Sequence, residues 1–151
     1  MPDFYTKLCF DLACAPEEAD RLVAAFGVTG ATTELPPALA GWFASPDPTD
    51  PLSGIAVFYD GADAFDVGAW ILPIEGGVRI WAQGDPQLVA IAEFIRTLAP
   101  SVLPVGFTWC NDCSRARPGA FGGGFALISA EGCDFNDVSG LLEDAMEAAR
   151  G

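Results

Sequence analysis

Two stretches of this sequence repeat one arrangement, and that repeat limits the folds open to the chain. In CAPEEADRLVAAF (residues 14–26) and GDPQLVAIAEFI (84–95) an alternating segment ends, a proline opens a new run, and apolar residues then recur every three or four positions. Alternation puts successive side chains on opposite faces of a strand, whereas the longer period lines one face of a helix. The first unit reads FYTKLCFDL, helix, GIAVFYD and GAWILPI, and the second reads VRIWAQG, helix, VGFTWCND and GGFALIS. The order strand–helix–strand–strand occurs twice, and a last helix, DVSGLLEDAMEAAR, follows.

Two βαββ units predict a two-layer α+β fold: a mostly antiparallel sheet with helices on one face, plus the C-terminal helix. The 151 residues suit one domain. They are read as such, 1–151, with an internal duplication of residues 4–74 and 78–130. Phe65, Gly68 and Trp70 of the first copy loosely match Phe121, Gly124 and Phe125 of the second. Residues 28–53, rich in Pro, Thr, Gly and Asp, read as a long loop pinned by Trp42 and Phe43. A linker between domains is the lesser reading, because the flanking pieces are too small to fold alone.

Within the units, Phe4, Leu8, Phe10 and Leu12 share one strand face, and Lys7 and Asp11 take the other. Pro16 opens the first helix, Glu17 and Glu18 stand in its positive first turn, and Gly27 stops it after the stripe Leu22, Val23 and Phe26. Glu75 to Gly77 reads as a hairpin. Asp85 is expected to cap the second helix and Pro86 to start it, with Leu88, Ile91, Ala92, Ile95 and Leu98 inward. The last helix sets Val138, Leu141, Leu142, Ala145, Met146 and Ala149 on one face and Glu143, Asp144 and Glu147 on the other.

Charge narrows the function classes. Twenty-one acids against 7 bases, with no histidine, give a net charge of -14. Direct contact with nucleic acid or anionic lipid is disfavoured, since Lys and Arg must neutralise phosphates there. Basic partners are favoured. The opening MPDFYTKLCF lacks the pattern of a signal peptide, and no apolar run is long enough to span a bilayer. Five cysteines, an odd number in a chain this large, predict reduced thiols in a cytoplasm.

The segment TWCNDCSRARPGAFGGGF (108–125) gathers the unusual chemistry. A thioredoxin-like site needs a helix after its first cysteine, and Pro118 with four glycines forbids one. Alternation sends Phe107 and Trp109 to one face and Cys110 to the other, and a strand running on through Cys113 separates the two sulfurs. Cys9 and Cys14, the other close pair, also point apart, so neither a metal nor a cofactor is expected. The arginines Arg115 and Arg117 with the glycine run could cradle an anion. Alternatively, the arginines pair with local acids such as Asp112 while the glycines form a bulge or close crossing. Without histidine there is no Ser–His or Cys–His dyad, and no carboxylate pair has a suggestive spacing, so the chain reads as no enzyme.

Over residues 109–124 the sequence resembles a family of small proteins carried by phages, prophages, plasmids and bacterial genomes. Their shared pattern is a Trp, then Thr-Cys-Ser, a basic residue, Arg-Pro-Gly and Phe-Gly-Gly-Gly. Cys113, Ser114, Arg117, Pro118, Gly119, Phe121, Gly122, Gly123 and Gly124 fit it. Only the second cysteine recurs there, which leaves Cys110 incidental. The resemblance implies a mobile-element setting and no particular activity.

Two functions follow as expectations. The first is a non-catalytic interaction protein whose acids, Asp60, Asp63 and Asp66 in one turn and Glu143, Asp144 and Glu147 on the last helix, meet a basic or nucleic-acid-binding complex. Such a protein would act as an anti-CRISPR or anti-restriction inhibitor, with DNA mimicry as one mode. The second is a small-molecule or anion-binding module built on Arg115 and Arg117.

Overall fold

A computed structural model describes residues 4–27, 67–116, 118 and 121–151. Its elements are β1 (Phe4–Ala13), α1 (Pro16–Phe26), β2 (Trp70–Ile74), β3 (Gly77–Gly84), α2 (Leu88–Leu98), β4 (Val105–Cys113), β5 (Gly122–Ser129), β6 (Gly132–Asp137) and α3 (Val138–Arg150). The strands form one sheet in the order β2-β3-β1-β4-β5-β6, and every pairing is antiparallel. The fold is α+β, as the two-period pattern predicts. Among the described elements, β1 to β4 with α1 and α2 follow the ferredoxin-like split β-α-β arrangement, and β5 and β6 extend the sheet as a meander. The expected strand at 54–60, the acidic turn at 61–66 and the loop with Trp42 and Phe43 lie outside the described residues.

The core follows from the alternation. Leu8 and Leu12 of β1, Val78, Ile80 and Ala82 of β3, Phe107 of β4, and Ala126 and Ile128 of β5 are buried on one sheet face. There they meet Leu22 and Phe26 of α1 and Ile91, Phe94 and Ile95 of α2. Phe10 and Phe107 stack across β1 and β4 at 4.8 Å between ring centroids. Phe26 and Phe94 join the two helices at 5.7 Å. The β2–β3 hairpin turns through Glu75 and Gly76, and Gly76 takes a φ of 81°, which a side chain would resist.

The expected start of α2 at Pro86 is corrected, and the first-turn role of Glu18 is extended. Asp85 does not cap α2, which begins at Leu88 after a Gln87 cap position without a side-chain cap. The Gln87 N–H instead donates to the Val67 carbonyl at 2.8 Å, which holds this segment against the approach to β2 and off the helical path. Glu18 does more than favour the helix dipole. Its carboxylate is buried and accepts from the Ala15 N–H at 3.0 Å, the Ser101 N–H at 3.1 Å and the Ser101 hydroxyl. Arg21 adds two hydrogen bonds to the Leu98 carbonyl, at 3.0 and 3.3 Å, so α1 clasps the end of α2.

Burial pushes the Glu18 carboxyl upward, but the hydrogen bonds from Ser101 and Ala15 outweigh it and hold the group below its usual range. A depressed folded-state value contributes stability above the unfolded value of about 4.3, and that stability is lost as pH falls through the folded value. We predict that Glu18→Ala costs about 1.5–3 kcal/mol at neutral pH, because it strands three donors. Glu18→Gln should flatten the acid side of the stability curve below about pH 4.3. Urea unfolding from pH 7 to 3 measures both, and a parallel loss in wild type and Glu18→Gln would refute the second.

Candidate functional site

Strand β4 carries the unusual segment into the sheet and settles the directions of its side chains. Phe107 is buried, Trp109 is half-buried beside it at 6.4 Å between centroids, and Cys110 is exposed on the opposite face. The strand continues through Cys113, which is buried, so the two sulfurs of Cys-x-x-Cys diverge as the alternation predicts. No helix follows Cys113 before β5 among the described residues, and a helix dipole to activate either thiol is missing there.

The other thiols are scattered. Cys9 is exposed on β1, Cys14 lies just past that strand, and Cys133 sits in β6. Burial and the Glu18 carboxylate push the Cys14 thiol up. Burial and the neighbouring Glu93 push Cys133 up to about 12. Among the described residues no three of His, Cys, Asp and Glu converge on a metal position.

The glycine run is a close crossing of backbones. Gly124 lies between Trp109 of β4 and Asp137 of β6 in register. A Cβ built there would stand 2.2 Å from the Asn136 carbonyl oxygen, 2.8 Å from the Asp137 Cα and 2.8 Å from Trp109 Cζ2. Gly123, with a φ of 150°, would set its Cβ 2.3 Å from the Trp109 carbonyl oxygen. These glycines let Trp109 lie flat on β5 and reach Phe135 of β6 at 6.3 Å.

Arg115 fares differently from the local pairing expected of it. Asp112 takes Lys7 of β1 as its partner, at 3.0 Å across the strands, and its other oxygen accepts the Cys113 N–H at 2.8 Å. The Lys7 hydrogen bond, then the Cys113 N–H, hold the Asp112 carboxyl below its usual range, and Asp112 in turn raises Lys7. Arg115 is exposed and carries no ion pair among the described residues, and Arg117 lies outside them. An open depression of about 320 Å³ adjoins this corner, lined by Tyr5, Lys7, Gln83, Asp112, Cys113 and Ser114. Among the described residues its one lining cation, Lys7, is already matched by the Asp112 carboxylate.

The acids of the last helix lie in the open. Glu143, Asp144 and Glu147 are exposed on α3 and make no ion pair among the described residues. Asp60, Asp63 and Asp66 lie outside the described residues. Sequence reasoning named the apolar face of this helix but not its exposure. No residue of α3 is buried, and Val138, Leu141, Leu142 and Met146 are among the exposed large hydrophobics. The outward sheet face adds Trp70 and Leu72 of β2 and Phe125 and Leu127 of β5, with Trp70 stacked on Trp81 at 6.0 Å. Alternation marks these positions as one face, but gives no sign that the face stays open.

Comparison with family models, with curated proteins and with solved structures found no match to the chain. Among the described residues no helix is long and apolar enough to cross a membrane.

Proposed function

We propose that this chain is a non-catalytic acidic interaction protein that binds a basic, nucleic-acid-binding complex of a bacterial host, as an anti-CRISPR or anti-restriction inhibitor does. One observation carries the reading: the acid surplus is left over after the internal ion pairs are made. Among the described residues Lys7, Arg79 and Arg96 each engage one acid, Arg21 serves a backbone carbonyl, and the three acids of α3 remain unpaired. The mobile-element resemblance of residues 109–124 agrees with this setting. Mimicry of duplex charge is one mode of such binding, since acids facing a basic groove release the same counterions that DNA does.

The test is a pull-down from bacterial lysate with and without competitor duplex DNA, across a salt series. We expect a basic protein to be captured, and capture to fall with salt and on adding DNA. Glu143→Lys with Asp144→Lys and Glu147→Lys should weaken it on the order of tenfold or more. Capture indifferent to these reversals would sink the reading. A rise in melting temperature with inorganic phosphate, lost in Arg115→Ala with Arg117→Ala, would favour the anion-binding module instead.

A further inference from the structure

Helices α1 and α2 bury their apolar stripes, and α3 does not. Leu22 and Phe26 of α1 and Ile91, Phe94 and Ile95 of α2 are sealed against the sheet, whereas Leu142 of α3 is 59% exposed and none of its neighbours is buried. Helix α3 nonetheless has the sequence of a packed helix. Projected at about 100° per residue, Val138, Leu141, Leu142, Ala145, Met146 and Ala149 fall on one side; Glu143 lies about 60° beyond Met146 and Asp144 about 60° beyond Leu141, with Glu147 between them on the opposite side. A helix of thirteen residues is marginal in water without a packed face, and Gly140 weakens it further. Its own support is the Asp137 cap, whose Oδ1 accepts the Gly140 N–H at 2.6 Å. Such a stripe calls for a cover.

Charge selects the cover. Two copies joined stripe to stripe would bring together two helices with three acids each, between chains that each carry -14. Membrane-surface helices carry Lys and Arg on the polar face to meet anionic lipid, whereas α3 carries three acids against Arg150 alone. A protein groove with an apolar floor and a Lys/Arg rim matches both parts of the helix.

We infer that α3 is a docking helix that inserts Leu141, Leu142, Ala145 and Met146 into an apolar groove of a basic protein, with Glu143 and Asp144 against its cationic rim. This inference rests on the proposed acidic-surface reading and adds that the contact is an apolar insertion bordered by charge.

The experiment uses the full chain with p-benzoylphenylalanine in place of Met146, or in place of Glu147 as the polar-face control, irradiated in bacterial lysate. The inference expects one adduct to a basic protein, at least about tenfold stronger from position 146 than from 147, with the crosslinked peptide mapping to an apolar groove. Leu142→Ser, which leaves the charge unchanged at an exposed position, should cut the adduct about tenfold or more. Glu143→Gln with Asp144→Asn should weaken it and flatten its salt dependence. An adduct of twice the chain mass, with a dimer by light scattering, would make the occupant a second copy and overturn the inference. So would capture by an acidic protein, by anionic vesicles or within the chain itself. Capture that survives Leu142→Ser but fails on charge reversal refutes the inserted stripe and leaves the acidic-surface reading standing. Capture indifferent to both refutes the two together.

Discussion

Gly124→Val should be strongly destabilising. Two of the three atoms in its way are backbone, the Asn136 carbonyl oxygen at 2.2 Å and the Asp137 Cα at 2.8 Å, and these cannot rotate aside. The third, Trp109 Cζ2 at 2.8 Å, belongs to an indole held by Phe107 and Phe135. Relief therefore requires β6 to separate from β5 and Trp109 to shift as well. Overpacking of a well-filled site costs about 1–3 kcal/mol, and more where backbone must move. We expect at least about 3 kcal/mol here, against a total stability of roughly 5–15 kcal/mol for a domain. The measurement is thermal unfolding together with Trp109 fluorescence, and Gly124→Ala should show the same sign at smaller size. A native melting temperature for Gly124→Val would mean that the glycines serve something other than the crossing of strands, with the anion cradle next in line.

That outcome bears on how much of the molecule its residues announce. Alternation and helical period are local, and they delivered β1, α1, β2, β3, α2, β4, β5 and α3, with the apolar side of β1, α1, α2, β4 and α3. Strand β6 escaped because GCDFND is short and its Asp134, Asn136 and Asp137 are poor strand formers, so it reads as the approach to the last helix. Its signals were the turn at Glu131 and the alternation of Cys133 with Phe135. The second helix buries Ala90 and Phe94 beyond its expected stripe, because α1 and the sheet cover it on two sides. The Asp112 partner was illegible for a different reason. Lys7 stands 105 positions away in sequence, and only the pairing of β1 with β4 brings it ahead of the nearby arginines. Amphipathicity in α3 likewise shows that a face wants cover without locating the cover.

Phe94→Ala and Leu142→Ala should therefore part widely, although each removes a large apolar side chain from an amphipathic helix. Phe94 is wholly buried between α1 and the sheet and lies against Phe26. Its removal should cost about 3–5 kcal/mol, the lost transfer energy plus the cavity left beside Phe26 in the core. For a chain of this size that is a fall of roughly 10 °C or more in melting temperature. Leu142 has no buried neighbour on its helix, so its removal leaves no cavity and should change stability by no more than about 0.5 kcal/mol. Differential scanning calorimetry of the two variants decides the point. If Leu142→Ala lowered the melting temperature as Phe94→Ala does, the stripe of α3 would be sealed in the free protein, and it could not be the surface that waits for a partner. A large loss in one and none in the other would locate stability in the α1–α2–sheet core and leave the last helix available for binding.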